Sequence, residues 1–299
     1  MASSMLGRLL SFLVVSTAFC APLSAAVDGT KYLFVFGDSY TSTGFSINGA
    51  KPSPSNPLGN PALNKLNTMS GGLTWPGFLA TQFNTSLTYA YIFAVAGATV
   101  DNSIIPAYSS SVPSISDQVK TWTSNLQSKP SYAPWTAEDT LAAVWIGVND
   151  VGNSYSQSGE EARLNKDLDR YFALLATLYT GGIRQFALLN IPPTQKTPQM
   201  KSQSNVASLV SAITYWNSQL PTRVSAFLTA NAEANITLVD TQGPWNTVIA
   251  DPKSYGAPDA TCVNANGKSC LWYNSYHPGQ AIHKVVAQAV ASALKGSFF

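Results

Sequence analysis

Only two histidines, His277 and His283, are available to this 299-residue chain as imidazole bases. His283 falls at the margin of an apolar helical stripe and reads as a structural helix residue. His277 sits just before that helix, on a loop stiffened by Pro278 and tethered upstream by a Cys262–Cys270 pair. A positioned base needs a mount of that rigidity. The candidate nucleophile is Ser39, in Gly37-Asp38-Ser39-Tyr40, where a glycine-relieved turn closes the first apolar run. No Gly-x-Ser-x-Gly elbow occurs. A serine attacking a carbonyl builds a tetrahedral oxyanion that needs two or three convergent donors. The backbone N–H of Ser39, the backbone N–H of Gly97 in Ala96-Gly97-Ala98, and the side-chain amide of Asn149 in Gly147-Val148-Asn149-Asp150 are the candidates. Taken singly, Gly97 and Asn149 are as easily ordinary turn residues.

The elements that must position these groups alternate. Short apolar runs at 32–36, 87–95, 141–146, 185–190 and 236–239 read as buried strands. Between them lie helical stripes. Ile115, Val119, Trp122 and Leu126 form one. Leu164, Leu168, Tyr171, Leu175 and Leu178 form another, ended by Gly181-Gly182. Val206 to Leu220 carries a third, which Pro221 is expected to kink or break. The last, from Ala281 to Leu294, follows Pro278 at its first turn. Such alternation predicts a parallel sheet with helices on both faces, and sites in such sheets lie outside the carboxyl ends of the strands. Ser39, Gly97 and Asn149 each follow a different strand end. The irregular stretch 47–72, rich in Pro, Asn, Ser and Gly, is expected to form a wall of the site.

Together, Phe36-Gly37-Asp38-Ser39, Gly97, Gly147-x-Asn149-Asp150 and His277-Pro278 resemble, in order and spacing, the four blocks of the SGNH (GDSL-type) hydrolases. The resemblance implies an α/β fold, a flavodoxin-like three-layer α/β/α sandwich on a mostly parallel five-stranded sheet. It also implies ester hydrolysis through an acyl-enzyme, without a cofactor or metal. Ser39 is then the nucleophile and His277 the base. Ser39 N–H, Gly97 N–H and the Asn149 side chain line the oxyanion hole, and Asp38 is structural. Phe34-Val35-Phe36-Gly37-Asp38-Ser39-Tyr40, Gly71-Gly72 with Trp75, and Asn274-Ser275-Tyr276-His277-Pro278 further resemble the fungal acetylesterases of carbohydrate esterase family sixteen. That implies acetyl release from hemicellulose-derived oligosaccharides. A lipase or lysophospholipase of the same superfamily is the alternative within enzymes, and a non-catalytic carbohydrate-binding protein the alternative outside them. One position departs from the superfamily pattern. Asn274 stands three residues before the histidine, where most members carry Asp. Either Asn274 or a backbone carbonyl of this loop then orients the imidazole.

The remaining features concern compartment and partners. Arg8 followed by an apolar run at 9–19 and small residues at 24–26 reads as a signal peptide over 1–26, too short to span a bilayer. Residues 27–299 then form one domain, expected to be secreted and monomeric. Losing Arg8 takes the formal charge from +2 to +1, and no basic cluster points to nucleic acid or a membrane surface. Of three cysteines, Cys20 leaves with the signal, so Cys262 and Cys270 pair in an oxidising compartment. A loop that short stabilises a fold by roughly 2–3 kcal/mol in the chain-entropy model. Asn84-Thr85-Ser86 and Asn235-Ile236-Thr237 are glycosylation sequons.

Overall fold

The computed structural model describes residues 29–299, so the expected signal peptide lies outside the described residues. Five strands form one sheet in the order β2-β1-β3-β4-β5, every neighbouring pair parallel. They are β1 (Lys31–Gly37), β2 (Thr88–Ile92), β3 (Thr140–Trp145), β4 (Gln185–Leu189) and β5 (Asn235–Val239). β1 and β3 are central and almost wholly buried, which is why they read as continuous apolar runs.

Among the described residues seven α-helices cover the two faces: α1 (Trp75–Thr81), α2 (Ile115–Asn125), α3 (Val148–Ser154), α4 (Glu160–Thr180), α5 (Val206–Ala230), α6 (Gln242–Ala250) and α7 (Gln280–Ala293). α1, α6 and α7 pack together, while α2, α4 and α5 make the other layer with α3 against them. Aromatic side chains fill the space between. Phe34 meets Trp122 and Trp135 edge-on on one side, and Trp145 meets Trp75 and Tyr40 on the other.

Three expectations change in detail. The second strand ends at Ile92, not residue 95. The chain beyond it still follows β1, since Phe93 and Val95 donate to the carbonyls of Val35 and Gly37. Pro221 does not break α5, which is continuous from Val206 to Ala230. The cost of an interior proline, about 3 kcal/mol, is offset by Val224 and Phe227 beyond it, because each buried side chain of that size contributes roughly 1.5–3 kcal/mol. Pro278 precedes the Gly279 N-cap of α7 and is not in its first turn.

Candidate active site

Gly37 ends β1 against β3. A Cβ there would stand 2.5 Å from the Trp145 carbonyl oxygen, so only glycine allows the two strands to close at this point. The Gln118 side chain of α2 clamps the same residue, with Oε1 accepting its N–H at 3.0 Å and Nε2 donating to its carbonyl at 2.9 Å. Asp38 then turns the chain. Its carboxylate accepts the Tyr40 N–H at 2.9 Å, and its backbone carbonyl accepts from Thr41 and Ser42. Burial pushes the Asp38 carboxyl up to about 7. Ser39 is the residue this turn presents, buried at the carboxyl edge of the sheet.

His277 faces it. Nε2 lies 2.8 Å from Ser39 Oγ, and Nδ1 lies 3.0 Å from Asn274 Oδ1. Asn274 Oδ1 also accepts the backbone N–H groups of Tyr276 and His277, at 2.9 and 2.8 Å. An atom that accepts two backbone donors is the amide oxygen, so Nδ1 carries the ring proton. The Nε2 lone pair is left for the serine hydroxyl. The Asn274 side chain, and not a backbone carbonyl, therefore contacts the ring. Burial lowers the His277 imidazole to about 4, which keeps it neutral through most of the acid range.

The loop that carries His277 is braced from below. Cys262 and Cys270 form a disulfide with Cα atoms 5.1 Å apart. Trp272, fully buried, donates Nε1–H to the Ala260 carbonyl, and its neighbours Leu271 and Tyr273 bond to Gly279 and His277. Tyr40 packs edge-on against the imidazole at 5.6 Å and donates its hydroxyl to the Tyr276 carbonyl at 2.9 Å. Tyr40 belongs to the Gly37-Asp38-Ser39-Tyr40 motif, but the motif gives it no role, because that role is visible only in contact with the distant loop.

Gly97 takes a left-handed backbone at φ 85°, and a Cβ there would run into the Tyr108 ring. Among the described residues, neither the Ser39 N–H nor the Gly97 N–H is donated to a protein acceptor. Asn149 sits in the first turn of α3 and donates one amide hydrogen to the Ala98 carbonyl at 2.9 Å. An amide nitrogen has two donors, so one remains. Behind it, Asp150 accepts the Val100 N–H at 2.8 Å, which ties the Gly97 segment to α3. Asp150 and Asp167 of α4 are neighbouring, wholly buried acids, and Asp150 Oδ2 and both Asp167 carboxylate oxygens find no other hydrogen-bond partner among the described residues. Burial and the neighbouring acid raise Asp167, so this pair holds a proton. Periodicity could not reveal that pairing.

Other candidates fall away from the reaction centre. His283 is buried in α7 with neither ring nitrogen hydrogen-bonded, and burial lowers it to about 3. Of the stretch 47–72, Asn67 and Met69 line a depression with Ser42, Phe45 and 94–96, beside the ends of β1 and β2. Asn235 is exposed at the start of the edge strand β5, whereas Asn84 donates its amide to the Ser86 carbonyl. Among the described residues no group of three His, Cys, Asp or Glu could hold a metal, and no helix is long and apolar enough to cross a membrane.

A three-layer parallel sheet with a hydroxyl, an imidazole and amide donors at its carboxyl edge is the architecture of the SGNH hydrolases. The family model described as GDSL-like Lipase/Acylhydrolase matches residues 33–290, and the chain belongs to that family. An acetylesterase of Thermothelomyces thermophilus is 48% identical over 285 residues, covering 94% of each chain. An acetylesterase of Hypocrea jecorina is 24% identical, covering 96% of this chain and 94% of its own. Among solved structures, Axe2, an acetylxylan esterase from Geobacillus stearothermophilus, superposes with a TM-score of 0.52 at 15% identity, over 90% of this chain and 95% of that one. The protein is a carboxylic ester hydrolase of GDSL type.

Proposed function

We propose that this chain is a secreted acetylesterase that removes acetyl groups from hemicellulose-derived oligosaccharides through an acyl-enzyme on Ser39. The observation that carries the reading is the line Ser39 Oγ, His277 Nε2, His277 Nδ1, Asn274 Oδ1, with links of 2.8 and 3.0 Å. Neutral Nε2 takes the hydroxyl proton as Oγ attacks the acetyl carbon. The carbonyl electrons move onto oxygen, where the N–H groups of Ser39 and Gly97 and the spare Asn149 amide hydrogen stabilise the charge. The imidazolium returns the proton to the departing sugar oxygen, leaving acetyl-Ser39. Water then attacks with His277 again as base, the imidazolium returns that proton to Ser39 Oγ as the acyl bond breaks, and acetic acid leaves and ionises in solution. Asn274 fixes the ring tautomer without a full charge, as the amide does in papain-like sites.

The acetyl preference rests on the two acetylesterase relatives, and the oligosaccharide preference on Axe2 together with the family resemblance. Secretion rests on the 1–26 pattern and the paired cysteines. A serine-directed phosphonate should label Ser39 alone, and Ser39→Ala should abolish turnover with the circular dichroism spectrum unchanged. Labelling at another serine would overturn the mechanism. Hydrolysis of p-nitrophenyl palmitate at rates matching p-nitrophenyl acetate would favour a lipase instead.

A further inference from the structure

A depression of about 330 Å³ opens between the α3 segment, the chain after β4 and the loop that carries His277. Its walls include Asn149, Gly152 and Tyr155 from the α3 segment, Gln199 and Gln203 from the chain after β4, and Tyr276. Two of these residues join it to the reaction centre. Asn149 supplies the amide that faces the Gly97 segment, and Tyr276 immediately precedes His277. The far wall is also coupled to that loop, because the Gln199 N–H donates to the Ser275 carbonyl at 2.9 Å.

The chemistry of the walls is uniform. No Lys, Arg, Asp or Glu lines the depression, so nothing there pairs with a charged headgroup. The polar groups are amides and phenols, which both donate and accept. The Tyr276 hydroxyl has no hydrogen-bond partner among the described residues, although it opens onto this space. Gln203 spends one amide hydrogen on the Gln199 carbonyl and keeps its oxygen free. Met200 and Leu209, both buried, supply an apolar patch between these groups. A sugar ring offers that same alternation of hydroxyl and C–H surface. An alkyl chain would strip water from the amides and pair with none of them. The depression lined by Ser42, Phe45, Asn67, Met69 and 94–96 carries fewer such groups.

We infer that the depression beside Asn149 and Tyr276 is the subsite for the leaving alcohol and takes a neutral polyhydroxylated unit, a sugar ring. This rests on the acetylesterase reading above and extends it by assigning which wall holds the sugar.

Gly152 allows a direct test. Outside α3 itself, a Cβ built there has the Tyr276 hydroxyl at 3.6 Å as its neighbour, an ordinary contact, so a larger side chain would extend from the wall of the depression next to that hydroxyl. Replacing a glycine inside α3 also favours the helix. The substrates are xylose tetraacetate and methyl acetate, whose methanol is too small to use the subsite, with acid release followed by titration. Gly152→Leu should lower kcat/KM for xylose tetraacetate at least tenfold more than for methyl acetate, chiefly through KM. Gln203→Met, which keeps length but removes the amide, should act in the same direction by a smaller factor. Equal losses on both substrates, or no selective loss with either variant, would overturn the subsite while leaving the esterase reading intact. Wild-type protein that cleaves methyl acetate but not the sugar ester would overturn it as well. Wild-type protein inert towards every acetate would instead refute the acetylesterase reading, and the subsite with it.

Discussion

Replacing Asn274 by Asp puts a carboxylate where a neutral amide now contacts the His277 imidazole. The new group would still accept the N–H of Tyr276, the N–H of His277 and the Nδ1 proton, all of which reach the present oxygen within 3.0 Å. Three donors favour the ionised form, so the aspartate is charged at working pH. Opposite charges about 4–5 Å apart, at an effective dielectric of ~20, attract by about 4 kcal/mol. The pair is partly open to solvent, so about half of that is the better figure. At 1.36 kcal/mol per unit, roughly 2 kcal/mol lifts the imidazole by about 1–1.5 units. Burial now holds His277 at about 4. In the proposed mechanism the neutral ring is the base, so activity is present above its pKa and lost as pH falls through it. The acidic limb of kcat/KM should therefore move upward, from near pH 4 to between about 5 and 5.5, with the plateau retained. The measurement is a pH–rate profile on p-nitrophenyl acetate between pH 3 and 8, with folding checked at each pH. An acidic limb that stays in place in a folded, active variant would show that this limb does not report His277. In parallel, His277→Ala should lose roughly 10³-fold or more and Asn274→Ala on the order of tenfold. Equal losses would mean that the two act as one unit and that the amide is indispensable.

Asn149→Ala should lower kcat by about 10²–10³ with little change in KM, because that amide bonds the oxyanion more strongly than the ground-state carbonyl. A main effect on KM would instead make Asn149 a substrate-binding residue. His283→Leu should stabilise the fold at pH 7 by about 1–3 kcal/mol, as two unpartnered buried nitrogens disappear. The unfolded chain protonates His283 near 6.5 and the folded one only near 3, so wild type loses this contribution as pH falls from 6.5. The variant's advantage in urea midpoint should widen over that range, and an advantage independent of pH would refute the assignment. Asp167→Asn replaces a carboxyl whose folded pKa is raised, a contribution fully present below about 3.8 and lost as pH rises towards the folded value. The variant should therefore gain on wild type as pH rises above 4 in the same denaturation assay, because an amide N–H towards Asp150 needs no proton. A constant difference across pH would show that the pair shares none.

Ser39, Gly97 and Asn149 could be placed from the sequence because each follows a different strand end, and parallel strands bring their carboxyl ends to one edge. The same reasoning located His277 through the helix that follows it. What stayed illegible depends on contacts between distant segments. Asn274 could be noticed as a departure, but its three-donor oxygen exists only once the loop is folded. Asp150 and Asp167 lie on different helices, and each alone reads as a cap or a solvated residue. Pro221 misled because local propensity argues for a break, while Val224 and Phe227 bury enough surface to carry the helix onward. The walls of the sugar subsite come from α3, the chain after β4 and the His277 loop, whose approach no periodicity encodes.

The neutral Asn274 and the buried His277 together set a trade-off. A carboxylate at position 274 would make the imidazole a stronger base and would stabilise the imidazolium formed during attack. It would also protonate that imidazole at higher pH and so silence the enzyme sooner in acid. With an amide, the ring is oriented by the same acceptor geometry but held neutral to about pH 4 by desolvation. A base of low pKa takes the serine proton less readily. On the proposed mechanism, the oxyanion donors and the bracing of Tyr40, Gln118 and the disulfide loop then contribute a larger share of the rate. Those donors sit on segments pinned by bonds that do not involve His277: Gly37 by Gln118, the Gly97 segment by Asp150, and Asn149 by Ala98. Those bonds do not involve the ring, so the limb near pH 4 should report the imidazole, and any step nearer pH 7 belongs to the buried Asp38 carboxyl in the turn before Ser39.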